Sequence, residues 1–119
     1  MPPTAIEIER LEDALDWAHD ELGLTYDQIG AALDVSERTL RRWRAHDHAP
    51  RARQKELIED LRELRHVLSA TFPDPALRLR WLHSPEPMLR GRTPISFLRS
   101  GHVSRVVDVL ATLESGAFT

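Results

Sequence analysis

Apolar residues recur along the chain at intervals of three and four positions, which is the spacing of an amphipathic helix. The first stripe comprises Ile8, Leu11, Leu15, Ala18 and Leu22. Two further stripes comprise Leu57, Leu61, Leu64 and Leu68, and Val103, Val106, Val107, Leu110 and Leu113. No segment shows the alternation of apolar and polar residues that marks a half-buried strand. The pattern therefore predicts an all-α protein.

Helix-capping residues divide this pattern into about seven helices. Gly23 is a natural stop for the first helix. Thr25 and Gln28 have the spacing of a capping box, and Ser36 is a good N-cap. Asp74 and Thr93 each precede a proline, which is favoured at the first helical position. The helices predicted after the first cover residues 26–33, 37–46, 51–70, 75–82, 94–100 and 102–114. The predicted seam lies near residue 72, which gives domains at 1–72 and 73–119.

Residues 25–44 have the layout of a helix-turn-helix. Three apolar residues of the first helix face inward, Val35 fills the turn, and Leu40 and Trp43 anchor the second helix. Gly30 and Ala31 are small, which lets the two helices approach closely. The outer face of the second helix then carries Glu37, Arg38, Thr39, Arg41, Arg42 and Arg44.

Charge is distributed unevenly, although the net charge is only −3. Residues 5–22 contain seven acids and one arginine, whereas residues 38–55 contain seven arginines and lysines and one acid. The local surplus of positive charge favours a polyanionic partner, and the alternative is a solvated basic face.

The residue types around the second helix suit DNA recognition. Arginine can bond guanine bidentately or pair with phosphate, and the first residues of such a helix reach base edges. We therefore expect base contacts from Arg38, Thr39 and Arg42. The residues expected near phosphate or at the helix starts are Gln28, Ser36, Arg41, Arg44, Arg51, Arg53 and Lys55.

Residues 24–46 resemble the Xre-type helix-turn-helix family, and the resemblance implies DNA binding. Glu37 departs from what DNA binding favours, since an acid at the tip of a reading helix repels phosphate, although it can accept from cytosine. The alternatives are a helical hairpin with a charged rim and a helix-turn-helix that no longer binds DNA.

A connector rich in proline and arginine occupies residues 81–101, and its sole acid is Glu86. Pro85 and Pro87 restrict both themselves and the residues before them, so a stiff extended turn is expected. Gly91 permits a backbone angle that the neighbouring arginines would resist. We expect the connector to orient the last two helices against Trp81, itself expected to lie in the core.

The C-terminal third is similar to the toxin-binding domain of the Xre/MbcA/ParS antitoxins. The resemblance is carried by Trp81-Leu82, Ser84-Pro85, Leu89, Gly91-Arg92-Thr93-Pro94, Leu98, Gly101, Val106, Leu110, Glu114 and Gly116. It implies an antitoxin that neutralises an adjacently encoded RES-domain toxin, which attacks NAD, and that represses its own operon. It implies toxin contacts by Arg90, Arg92, Arg99, Gly116, Ala117, Phe118 and Thr119, with the last four covering the active-site entrance. For Phe118 the alternative is a frayed terminus.

Other constellations point to no further chemistry. The chain has no cysteine, secretory signal or long apolar run, which predicts a cytoplasmic protein without disulfides or a membrane span. No nucleophile set or phosphate loop is evident, and His46 and His48 lack a third ligand, so neither an enzyme nor a metal or cofactor is expected. A homodimer on operator DNA is expected, with higher assembly alongside toxin. Two alternatives remain: a stand-alone transcriptional regulator, and an interaction inhibitor with a vestigial helix-turn-helix.

Overall fold

The computed structural model describes residues 4–116 of the 119-residue chain. These residues form seven α-helices and no strand, which confirms the all-α prediction. The helices are α1 Ala5–Asp20, α2 Tyr26–Ala32, α3 Glu37–Arg44, α4 Ala52–Thr71, α5 Pro75–Leu82, α6 Pro94–Arg99 and α7 Val103–Glu114. A single 3₁₀ turn at Pro87–Leu89, which the sequence pattern did not predict, lies in the connector between α5 and α6.

Four helices begin at the N-caps that the sequence predicts. Thr25 Oγ1 accepts from the Gln28 amide at 3.1 Å, and Gln28 Oε1 accepts from the Thr25 amide at 3.0 Å, so the capping box is complete. The side chains of Ser36, Asp74 and Thr93 each accept a hydrogen bond from an amide in the first turn of α3, α5 and α6, respectively. These oxygens satisfy amides that would otherwise lack a partner at the helix start.

The core is one cluster to which both halves of the described chain contribute. The long helix α4 packs along α7, and their apolar stripes supply much of the buried surface. The main residues of this seam are Ile58, Leu61, Leu64, Val67, Leu68, Val103, Val106 and Leu110. α1 covers the same core with Leu11, Leu15 and Ala18.

The helix-turn-helix is held against the C-terminal helices through α2, which contacts α1, α3 and α6. Gly101, in the turn between α6 and α7, has a φ of 84°. A β-carbon at this position would lie 2.9 Å from the carbonyl oxygen of Ala31 in α2. This close approach joins the two halves of the molecule, and the division of domains at residue 72 stays a prediction.

Candidate functional sites

The turn between α2 and α3 is packed tightly against Gly30. The Val35 amide donates to the Gly30 carbonyl at 2.9 Å, and a β-carbon at Gly30 would lie 2.6 Å from the Val35 carbonyl oxygen. Asp34 takes the positive φ of 57° that reverses the chain. Any side chain at position 30 would push α3 away from α2, which confirms that a small residue sets the spacing of these helices.

α3 has one buried and one exposed face, as its sequence predicted. Leu40 and Trp43 are buried in the core. Arg38, Arg41 and Arg42 are exposed on the opposite side. The exposed face carries several guanidinium groups, so it is the candidate DNA-binding surface of the molecule.

Three uncharged residues expected at DNA are engaged at helix starts. Gln28 completes the capping box of α2. Ser36 Oγ accepts from the Thr39 amide at 3.1 Å and lies 3.1 Å from Thr39 Oγ1. Each hydroxyl can form a further hydrogen bond, so their contact with DNA stays a prediction, while their part in starting the helices is established.

Two arginines on the exposed face of α3 are paired with acids nearby in the sequence. Arg41 Nη2 lies 2.8 Å from Glu37 Oε1, one helical turn earlier. Arg42 Nε lies 3.6 Å from Asp47 Oδ2, just beyond the helix end. Both pairs are largely solvent-exposed and therefore weakly held.

Arg44 is engaged inside the protein rather than displayed to a partner. Its Nη2 lies 2.5 Å from Asp16 Oδ1 on α1, and its guanidinium lies 5.6 Å from the centre of the Tyr26 ring. Burial disfavours its charged form, but the hydrogen bond to Asp16 and the nearby Tyr26 and Glu12 outweigh burial and raise the pKa of Arg44. Its expected phosphate contact would require this network to open.

The remaining basic residues flank α3, and most of them are also paired with acids. Arg53 Nε lies 3.1 Å from Asp34, and Lys55 Nζ lies 3.7 Å from Glu7 of α1. Of the seven arginines and lysines between residues 38 and 55, only Arg38 and Arg51 have no acidic partner within residues 4–116. The predicted surplus of positive charge is therefore offset by acids that the fold brings to the same surface.

Glu86 organises the connector. It is buried, with 7% of its surface exposed, and its carboxylate accepts from Trp81 Nε1 and from the Met88 amide, both at 3.1 Å. Its backbone pairs with Arg92 in a short antiparallel bridge. Trp81 is half-buried against Phe72, at 5.5 Å between ring centres. Trp81, expected in the core, is thus only half-buried, and it meets the connector through a carboxylate that the sequence analysis noted as the sole acid but gave no role.

The backbone of the connector includes two consecutive left-handed residues. Gly91 has a φ of 79°, as expected, but Arg90 also has a positive φ, of 58°. Arg90 adopts this angle although its side chain disfavours it, because the amides of Leu89 and Gly91 donate to the Glu86 carbonyl and the amide of Arg90 donates to the Pro87 carbonyl, which closes the turn.

The arginines expected to contact a toxin are exposed and differ from those of α3. Arg90, Arg92 and Arg99 have no acidic partner within the described residues. The guanidinium of Arg92 lies 5.6 Å from the centre of the Phe97 ring. Gly116 is exposed with a φ of 73°, whereas Ala117, Phe118 and Thr119 lie outside the described residues. The toxin contacts of all seven residues stay predictions.

Further features were tested in the part of the chain that the structure describes. No group of three histidine or acidic side chains is placed to hold a metal ion. No helix there is long and apolar enough to cross a membrane. α5 exposes Leu77 and Leu79 beside an open groove that Trp17, Leu22 and Leu68 help to line. The sequence analysis did not identify these leucines, because their spacing of two fits no apolar face of a helix.

Comparison with known proteins assigns both halves of the chain. Residues 61–116 match the family model for the antitoxin Xre/MbcA/ParS C-terminal toxin-binding domain, and residues 7–47 match a homeodomain-like domain. The mycobacterial cidal antitoxin MbcA of Mycobacterium tuberculosis and of Mycobacterium bovis is 29% identical over 108 residues, which cover 91% of this chain and 95% of the relative.

A second relative and a solved structure agree. A probable mycobacterial cidal antitoxin of Mycobacterium tuberculosis is 27% identical over 96% of this chain and 93% of its own length. A chain in the crystal structure of the Mycobacterium tuberculosis MbcT–MbcA toxin–antitoxin complex superposes with a TM-score of 0.60 at 26% identity, covering 98% of this chain and all of that one. Residues 61–116 thus belong to the family of Xre/MbcA/ParS antitoxin toxin-binding domains, and they follow an N-terminal helix-turn-helix.

Proposed function

We propose that this antitoxin neutralises a RES-domain toxin that attacks NAD, by laying its C-terminal end over the entrance of the toxin's active site. We also propose that it represses its own operon through α3. The MbcA relatives and the MbcT–MbcA complex support a toxin partner. The proposed activity places the protein in the cytoplasm with its operon.

The observation that carries the toxin-binding proposal is a set of unpaired arginines on a fixed backbone. Arg90 and Arg92 are exposed beside the turn in which the buried carboxylate of Glu86 accepts two hydrogen bonds, and Arg99 is exposed at the end of α6. A cation without an intramolecular partner breaks no ion pair when it docks, and a preorganised surface loses less entropy on binding. The proposed contact is an acidic rim on the toxin.

The position of α7 supports the covering role of the chain end. Val106 and Leu110 bury α7 against α4 up to its last turn, and the helix ends at Glu114. Gly116 and the residues after it therefore follow a helix that is anchored in the core. A short terminal segment that starts from an anchored helix can reach a defined site on a partner at low entropic cost.

DNA binding is proposed for a two-fold dimer of domain 1–72. In such dimers two reading helices meet successive major grooves about one helical turn apart. The exposed face of α3 supports this assignment, with Arg38 as its unpaired arginine.

The toxin-binding proposal is tested by coexpression with the adjacently encoded protein, affinity capture and growth rescue. We expect Arg90→Ala, Arg92→Ala and Arg99→Ala together to weaken capture at least about tenfold. The matched control replaces Arg10, Arg38 and Arg51 by alanine, which removes equal charge from exposed, unpaired positions outside residues 61–116. Equal loss of capture in both variants would show that net charge, not the connector, matters.

Removal of residues 117–119 separates binding from neutralisation. We expect the shortened chain to be captured by the toxin and to bind DNA, but to lose growth rescue. Full rescue by the shortened chain would contradict the covering role. If the full chain captures no adjacent gene product and binds DNA, the protein acts as a stand-alone transcriptional regulator instead.

A further inference from the structure

The acids of α1 form two sets that differ in what they contact. Glu7, Glu12 and Asp16 lie 3.7, 3.0 and 2.5 Å from Lys55, His46 and Arg44, which flank the C-terminal end of the reading helix α3. Glu9 and Asp13 lie on the same helix, and Glu21 directly follows it; all three are exposed and have no basic partner among the described residues. One face of α1 therefore contacts two cations, Arg44 and Lys55, and the imidazole of His46.

Resting on the proposed DNA-binding function, we propose that Glu7, Glu12 and Asp16 are specificity-determining residues that occupy, in place of DNA phosphates, the basic side chains flanking α3. Phosphate contacts of arginine and lysine supply most sequence-independent affinity for DNA. A carboxylate already bound to such a cation must be displaced before a phosphate can take its place. The acids therefore lower affinity for any DNA sequence and leave discrimination to the exposed face of α3.

The separation of the partners in the sequence distinguishes these competing acids from acids with a purely local role. Glu37 and Asp47 pair with arginines close to them in the sequence, and both pairs are exposed. Arg44, in contrast, is bonded to a helix 28 residues away, and only 30% of its side chain is exposed. Three residues of α1 reach three consecutive elements: the end of α3, the segment after it and the start of α4. The contact is a helix-wide surface rather than one chance pair.

The consequence for DNA affinity is specific. With the flanking cations occupied, phosphate neutralisation depends mainly on Arg38, Arg51 and the weakly paired Arg41 and Arg42. Because the salt dependence of DNA affinity scales with the number of phosphates neutralised, the natural chain should show a shallow dependence. Freeing the flanking cations should tighten binding to unrelated sequences more than binding to the operator.

The test compares two variants of the full chain with identical charge. The first carries Glu7→Gln, Glu12→Gln and Asp16→Asn, and the control carries Glu9→Gln, Glu21→Gln and Asp13→Asn. Binding to an unrelated duplex of about two helical turns is followed by fluorescence anisotropy from about 50 to about 200 mM salt. Thermal unfolding checks that both variants fold, and Glu7→Gln with Glu12→Gln alone serves if loss of Asp16 impairs folding.

We expect the first variant to bind the unrelated duplex about tenfold more tightly at the lowest salt. The slope of log affinity against log salt should steepen by about 0.9 for each cation that gains a phosphate. The control should shift affinity far less and leave the slope unchanged.

Equal gains in both variants would overturn the inference and attribute the effect to net charge, while DNA binding by the natural chain would still support the proposed function. If the natural chain binds the unrelated duplex and both variants bind it with the same affinity, the inference is overturned and the proposed function is not. If neither the natural chain nor any variant binds DNA at the lowest salt, the DNA-binding function fails and the inference with it. DNA binding by the first variant alone would support the inference and show that the natural helix-turn-helix is held silent.

Discussion

The helix-turn-helix and the connector both present arginines, but the two sets are held in opposite ways. On the helix-turn-helix surface most cations are bonded to an acid, and Arg44 is tied across the fold to Asp16. On the connector Arg90, Arg92 and Arg99 have no acidic partner within residues 4–116. The single acid of the connector is instead buried and accepts a hydrogen bond from Trp81 Nε1.

The contrast shows that a count of basic residues is a poor guide to a binding surface. A paired cation must lose its partner before it binds another anion, whereas an unpaired cation on a fixed backbone is ready to dock. The sequence is most basic between residues 38 and 55, but the readily available cations are concentrated on the connector. Each prediction below alters one side of this contrast.

The largest effect on stability is expected from Glu86→Ala. The change leaves Trp81 Nε1 and the Met88 amide without acceptors in a partly buried site, so we expect the free energy of unfolding to fall by about 3 kcal/mol. Urea denaturation followed by tryptophan fluorescence measures the loss. Glu86→Gln keeps a carbonyl oxygen in place and should recover about half of it. If the alanine variant has the same free energy of unfolding as the natural chain, Glu86 does not hold the connector.

A smaller effect is expected where the two regions meet, at Gly101. Alanine at this position must adopt a positive φ, and its β-carbon would lie 2.9 Å from the Ala31 carbonyl oxygen, so we expect a loss of about 2 kcal/mol. Gly23→Ala is the matched control, because Gly23 also has a positive φ but nothing lies within 4 Å of the added carbon. It should lose about 1 kcal/mol. If urea denaturation gives the same loss of unfolding free energy for Gly101→Ala and Gly23→Ala, the turn after α6 does not approach α2 tightly.

Features that depend on a few neighbouring residues were predictable from the sequence. The capping hydroxyls of Thr25, Ser36 and Thr93 act on amides three positions away, so a short pattern contains both partners. The helical stripes are equally local, and they predicted much of the buried faces of α1, α4 and α7 but missed Ile58, Val67 and Val109. Gly30 was identifiable because the turn of a helix-turn-helix demands close approach at a fixed position.

Features that depend on tertiary contacts were not predictable in this way. The pairing of the α1 acids could not be predicted, because nothing in their spacing reveals that one side meets Arg44 and Lys55. Arg90 takes a left-handed angle that its side chain disfavours, and only the closed turn around Glu86 explains it. The sole acid among the connector residues was a usable signal, since an isolated carboxylate in a basic segment has many potential donors.

The two regions also offer a matched pair of helix caps. Ser36→Ala removes the cap of α3, and Thr93→Ala removes the cap of α6, so each should lower stability by about 1 kcal/mol. Their functional effects should diverge: the first should weaken DNA binding, and the second should weaken toxin capture. Ser36→Asn and Thr93→Ser should restore stability, since each supplies a capping oxygen. If both alanine variants lose DNA binding and toxin capture to the same extent, the two surfaces are not separate.

The smallest effect addresses the contrast between paired and unpaired arginines directly. Arg44→Gln removes the ion pair with Asp16, and because the pair is partly exposed we expect a loss of about 0.5 kcal/mol that shrinks as salt is added. Arg99→Gln should leave the free energy of unfolding unchanged at every salt concentration, because Arg99 has no acid to release among the described residues. Urea denaturation at low and high salt measures both. A salt-dependent loss at Arg99 as large as that at Arg44 would mean that the connector arginines are stabilised by the fold and are not free to dock.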